Sequence, residues 1–138
     1  MRTYDIFISH AWAYDERYEG IVRLLDSASG FSWRDYSVPR SAPVVDRNSR
    51  IGVIVLTARL REQIRQSSCF ILVAGMFIHH RNWVQREIEI AKNFRKPIIA
   101  VRRRGQLRTP LEVESYADQT VNWNSNSLVM AIRNHSRV

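Results

Sequence analysis

A chain of 138 residues, 45% hydrophobic and 25% charged, is long enough for one core and one domain, residues 1–138, and too apolar to stay disordered. Its longest apolar runs, such as IGVIVL at 51–56, fall short of the roughly 20 residues that a membrane span needs. The opening MRTYDIFISH lacks the apolar stretch and small-residue cleavage site of a signal peptide.

The single cysteine, Cys69, excludes an internal disulfide and fits a reducing cytoplasm. The net charge of +8 is carried by arginine except for Lys92 and Lys96. It is compatible with nucleic acid, anionic phosphates or a well-solvated surface. The arginines are spread along the chain, apart from Arg102, Arg103 and Arg104, and no zinc-finger spacing or RNP-like strand accompanies them. Nucleic acid is therefore disfavoured as the main partner.

In chain order, YDIFIS (4–9) is expected to be a buried strand, and RYEGIVRLLDSA (17–28) a helix with Tyr18, Ile21, Val22 and Leu25 on one face. SGFSWRDYSVP (29–39) reads as a second strand or extended loop, and RSAPVVDRNS (40–49) as a surface loop. No turn residue separates IGVIVL from TARLREQIRQS, so one helix is expected over about 50–66. CFILVA (69–74) is a further buried strand ended by Gly75, followed by a helix from Asn82 that Pro97 stops, where the strand PIIAV (97–101) begins. A polar loop, a short strand near QTVNW (119–123) and a last helix, SLVMAIRN (127–134), complete the chain.

Strands apolar on both faces that alternate with helices indicate a parallel sheet in an open α/β sandwich. Ligands of such sheets bind beyond the carboxyl ends of the strands, here SHAW, AGM and RRRG. A receiver-type phosphoacceptor needs acids where this chain has Ser9-His10 and Ala74-Gly75. A dinucleotide-binding turn needs glycines that SHAWAY lacks, and no Walker A sequence is present. His10, His79, His80 and His135 have no metal-ligand spacing, and Ser9 beside His10 has no nucleophile elbow.

The segment NWVQREIEIAKNFRKPIIAV (82–101) holds two acids two positions apart, Glu87 and Glu89. Two helical positions are about 200° of rotation, so the two take different faces. Val84, Ile88 and Ala91 form an apolar stripe that Ile90 and Phe94 widen. Glu87 is expected at its border with Trp83 one turn above, and Glu89 in water. A carboxylate beside a tryptophan at the core's edge is a candidate site, and an acid early in a helix is also an ordinary dipole partner.

Taken together, YDIFISHAW, WRDYSVP, LREQIRQSSCFILVAGM, NWVQREIEIAKNFRKPIIAV and ADQTVNWNSNSLVMAIR resemble the TIR-like family, most closely the bacterial TIR proteins of Thoeris anti-phage defence. The resemblance spans nearly the whole chain. It implies a flavodoxin-like three-layer sandwich with a mainly parallel five-stranded sheet. In the enzymatic members it implies cleavage of the nicotinamide–ribose bond of NAD, with ADP-ribose joined to itself as a cyclic isomer that activates a separate effector protein. The family's W-x-x-x-E pattern falls on Trp83 and Glu87, which makes Glu87 the expected catalytic residue and excludes Glu89.

The resemblance and the strand-end rule place the substrate against Ser9, His10, Ala11, Trp12, Tyr36, Ser37, Gly75, Met76 and Trp83. NAD enters as substrate, with no cofactor or metal and no membrane. Self-association is compatible with the family. Two other readings stand beside this one: a non-catalytic adaptor that acts by assembly, and a basic module that binds nucleic acid.

Overall fold

The computed structural model describes residues 2–37, 45–106 and 109–136. Val38, Pro39 and residues 40–44 of the expected surface loop at 40–49 lie outside the described residues. Five strands, β1 (Thr3–Ile8), β2 (Ser32–Asp35), β3 (Cys69–Val73), β4 (Ile98–Val101) and β5 (Gln119–Val121), form one sheet in the order β2-β1-β3-β4-β5. Every pairing is parallel. The central strands are the apolar runs: β3 and β4 are buried at every position, and β1 from Ile6 onward.

Helices α1 (Glu16–Asp26) and α6 (Ser125–His135) pack together on one face of the sheet, and α2 (Arg50–Gln66) and α4 (Arg81–Asn93) on the other. Right-handed crossovers require this division, because the chain moves outward from β1 to β2 and then reverses to reach β3. The reversal opens a crevice between the carboxyl ends of β1 and β3, where sheets of this order bind ligands.

Local chemistry sets the helix starts. Asp15, Ser49 and Asn124 each accept a first-turn N–H from Arg17, Gly52 and Ser127. The sequence pattern missed two short helices. Ala74–His79 (α3) begins where Gly75 was expected only to end a strand, and Leu111–Tyr116 (α5) lies in the supposed polar loop. Six residues carry too little periodicity for either to show. Helix α4 also ends earlier than Pro97 requires: Phe94 caps it and Arg95 turns left-handed, with φ 56°.

One glycine fixes the approach to α2. A Cβ on Gly52 would lie 1.7 Å from the carbonyl oxygen of Asp46, in the turn that Asp46 and Ser49 close by hydrogen bonds. Gly52→Ala should lower stability by about 1–3 kcal/mol, because backbone, not a flexible side chain, must move. A denaturant midpoint equal to that of the unaltered protein would show that this turn yields freely.

Candidate active site

Helix α4 buries Trp83, Val84, Glu87, Ile88, Ile90 and Ala91. The carboxylate therefore lies inside the apolar stripe, not at its border as the spacing suggested, and Glu87 is 0% exposed. Glu89 is exposed, as expected. Helical spacing could not show the burial, because the cover comes from the turn after β1, far away in sequence.

That turn wraps the carboxylate with its own backbone. The N–H groups of His10 and Ala11 both donate to Glu87 Oε2, at 3.1 and 3.0 Å. Successive N–H groups converging on one oxygen form an anion-binding concavity. The conformation is strained: Ala11 and Trp12 are consecutive left-handed residues, with φ 51° and 59°. Each such non-glycine residue costs on the order of 1–3 kcal/mol, which the surrounding contacts must offset. The next two N–H groups are used locally. Trp12 donates to His10 Nδ1 at 2.9 Å and Ala13 to the His10 carbonyl.

These bonds settle the state of His10. Its Nδ1 accepts from Trp12, so the ring proton sits on Nε2. Burial keeps the imidazole neutral, its pKa pushed down to about 3. The 3.8 Å approach of Nδ1 to Glu87 Oε2 is thus a contact between a neutral ring and a carboxyl group, not an ion pair. Burial pushes the Glu87 carboxyl the other way, up to about 8, against the two backbone N–H bonds that lower it. Two buried atoms, His10 Nε2 and Glu87 Oε1, have no hydrogen-bond partner among the described residues. The first is a donor, and the second becomes an acceptor once the carboxyl is ionised, the pair that complements a sugar hydroxyl.

An outer layer holds this pair, and the sequence reading passed over most of it. Tyr14 stacks on His10 with ring centres 4.7 Å apart and donates its hydroxyl to the Ser37 carbonyl at 2.9 Å. The hydroxyls of Ser37 and Tyr18 both bond Asp35, which also accepts the Ser37 N–H at 2.9 Å. Burial raises the pKa of both tyrosines, so both phenols stay protonated. Arg47 reaches across to donate to the Ala11 carbonyl at 3.0 Å. Tyr14 and Tyr18 were legible in principle as an aromatic pair four apart beside SHAW. Arg47 sat in a loop with no pattern.

The remaining expected residues divide. Ser9 is buried beneath the site, its Oγ accepting the Val73 N–H at 3.0 Å. Tyr36 is half-buried, its N–H donating to the Ile6 carbonyl at 2.8 Å and the Arg34 guanidinium lying 6.0 Å from its ring centre. Trp83 lies one turn before Glu87 with the Arg86 guanidinium 4.8 Å from its ring centre, and it borders a cavity of about 290 Å³ that Arg47 also lines. Met76 is fully buried. Gly75 opens on a different cavity, beside α1. Among the described residues no group of three or more His, Cys, Asp or Glu side chains is placed to hold a metal, and no helix is long and apolar enough to cross a membrane.

Residues 7–108 match the family described as the Thoeris protein ThsB, TIR-like domain. The chain belongs to this TIR-like family. Solved structures share the fold of this TIR-like domain at low identity. The CMP N-glycosidase BcmB of Clostridium botulinum is 13% identical, with a TM-score of 0.53 over 94% of this chain and 98% of its own. A 2-deoxyribosyltransferase from Bacillus psychrosaccharolyticus is 14% identical, with a TM-score of 0.58 over 90% and 89%. A conserved protein from Enterococcus faecalis is 12% identical, with a TM-score of 0.57 over 96% and 99%. No curated protein matches the chain significantly in sequence.

Proposed function

We propose that this TIR-like domain cleaves the nicotinamide–ribose bond of NAD at Glu87 and joins the ADP-ribose to itself, making a cyclic isomer that a separate effector protein reads in anti-phage defence. The observation that carries the proposal is the fully buried Glu87 carboxyl, held by two backbone N–H groups, with Oε1 and the neighbouring His10 Nε2 both unpaired. Family membership supports it. So do the names of two structures that share the fold, an N-glycosidase and a deoxyribosyltransferase, both of which denote chemistry at a sugar's glycosidic bond.

The chemistry follows from charge. The nicotinamide ring of NAD is cationic, so it leaves with the electron pair of the ribosyl C–N bond and needs no acid. Positive charge then develops on the ribose, and a fixed carboxylate stabilises it. In the empty site, burial holds Glu87 protonated near neutrality, with a pKa of about 8. A cation arriving beside it favours the ionised form and releases that proton. The ribosyl cation is captured by water, giving ADP-ribose, or by a hydroxyl of the same molecule, giving a ring. The captured hydroxyl loses a proton, which Glu87 is placed to accept. Trp83 offers an aromatic wall and the His10 Nε2–H a donor to the sugar. The one cysteine, Cys69, is a buried thiol, which suits a chain working in the cytoplasm.

A second reading, an adaptor that acts by assembly, draws on one observation. Ile51, Ile54 and Val55 form an exposed apolar stripe on α2. One experiment separates the two. Purified protein, alone and with lysate from phage-infected cells, is incubated with NAD, and nicotinamide is quantified with the mass of the co-product. Release of nicotinamide is expected, with a co-product lighter than ADP-ribose by one water. NAD left intact under both conditions overturns the enzyme reading.

A further inference from the structure

We infer that the cavity beside α1 is a second binding site, one for a phosphate-bearing nucleotide, separate from the buried Glu87 site. It lies at the carboxyl ends of β3, β4 and β5, with Val73 and Gly75 on its floor, and has a volume of about 310 Å³. A neighbouring cavity of about 460 Å³ shares Gly20, Arg23, Arg104 and Trp123 with it. Together they form a groove of the size that takes a small ligand, not a duplex.

The walls are cationic. Arg17 and Arg23 come from α1, Arg103 and Arg104 from the segment after β4, and the single opposing charge is Glu16. Among the described residues, the guanidinium groups of Arg23, Arg103 and Arg104 make no hydrogen bond or ion pair. Arg17 pairs with Asp15 but keeps a buried Nε without a partner. By contrast, Arg102, beside them in sequence, is committed to Asn122 at 3.0 Å. Three unpaired guanidinium groups around one cavity repel one another, and the arrangement is relieved by a ligand of opposite charge. Their planar forks match phosphate oxygens.

Two glycines shape the site for this purpose. A Cβ on Gly75 would stand 3.1 Å from Arg17 Cδ, tighter than ordinary packing, so its absence lets Arg17 close over the floor, with Arg103 Cγ beside it. A Cβ on Gly20 would stand 2.6 Å from the Trp123 ring, so the indole lies directly on the α1 backbone. A fixed indole next to unpaired arginines is the pairing that binds a base and its phosphates. The cavity is walled by α1, and the carboxylate is carried by α4 on the other face of the sheet. The inference goes beyond the NAD reading and does not rest on it, because none of these side chains touches Glu87.

The test is equilibrium binding by calorimetry, with ADP, adenosine and inorganic pyrophosphate as probes. ADP and pyrophosphate should saturate the unaltered protein and the Glu87→Gln variant alike, and adenosine should bind at least about 10-fold more weakly than ADP. The double variant Arg103→Ala/Arg104→Ala should lose about 10-fold or more for ADP, the scale of lost charge-assisted hydrogen bonds. Both arginines are exposed, so its melting temperature should be unchanged. Three results overturn the inference: ADP binding equal in the double variant, ADP binding abolished by Glu87→Gln, or no saturation by ADP while single-stranded RNA binds through the same arginines.

Discussion

Glu87→Gln should slow turnover of NAD by about 10²- to 10³-fold, the usual loss when one preorganised electrostatic group is removed. The amide keeps the shape of the side chain, and its oxygen can still accept from His10 and Ala11, but it cannot become an anion opposite a ribosyl cation. Glu89→Gln, on the exposed face of α4, should leave the rate unchanged. Folding should survive both changes for different reasons. Glu89 is at the surface. Glu87 is fully buried, so the mildness expected of a surface acid does not apply to it. It is spared because its buried carboxyl is neutral near neutrality, with a pKa of about 8, and glutamine is neutral too. Equal rates for the two variants, in a sample that releases nicotinamide, would sink the assignment of Glu87.

The second large effect is on stability against pH. Glu87 is raised from an ordinary 4.5 to about 8 on folding, so between those values the folded state holds a proton that the unfolded state has lost. Its contribution is complete below 4.5 and disappears as pH rises through about 8. The slope is about 1.4 kcal/mol per pH unit while only the folded state is protonated. His10 acts in the opposite sense: depressed from 6.5 to about 3, it contributes above 6.5 and loses that contribution as pH falls through about 3. The two slopes cancel between 4.5 and 6.5, leaving the falling Glu87 limb from 6.5 to about 8. Glu87→Gln removes that limb and keeps the His10 limb. Its denaturant midpoint should therefore gain on the unaltered protein steadily from weakly acid to weakly alkaline pH. A constant difference between the two would mean that Glu87 does not titrate with folding.

Much of the frame was readable because it is written in local patterns. The runs YDIFIS, CFILVA and PIIAV are apolar at nearly every position, and only the interior of a parallel sheet accommodates that. The helix expected over about 50–66 runs from Arg50 to Gln66, because no breaker interrupts it. The TIR-like family was readable in the order and spacing of whole segments. The interior of the candidate site was not. Whether Glu87 is wet or dry depends on a turn joined to it only by hydrogen bonds across the fold, and neither helix spacing nor composition encodes such a contact. Arg47 and Asp35 were missed for the same reason: their partners, Ala11, Ser37 and Tyr18, are named only by the folded chain.

The bonds from His10 and Ala11 to Glu87 carry a consequence for binding. Glu87 Oε1 and His10 Nε2 lack partners but are sealed from solvent beneath the turn, so a sugar hydroxyl reaches them only when the turn lets go. Apparent affinity for substrate then equals intrinsic affinity multiplied by the fraction of molecules whose turn has let go; a fraction of about one in a hundred weakens it about 100-fold. Whatever holds the turn away from Glu87 acts as an amplifier, raising occupancy at a fixed concentration of the proposed substrate while leaving the chemistry of the bound complex unchanged. The left-handed pair Ala11 and Trp12 lowers the energy needed for that release, because strain held in the closed turn is recovered when it opens.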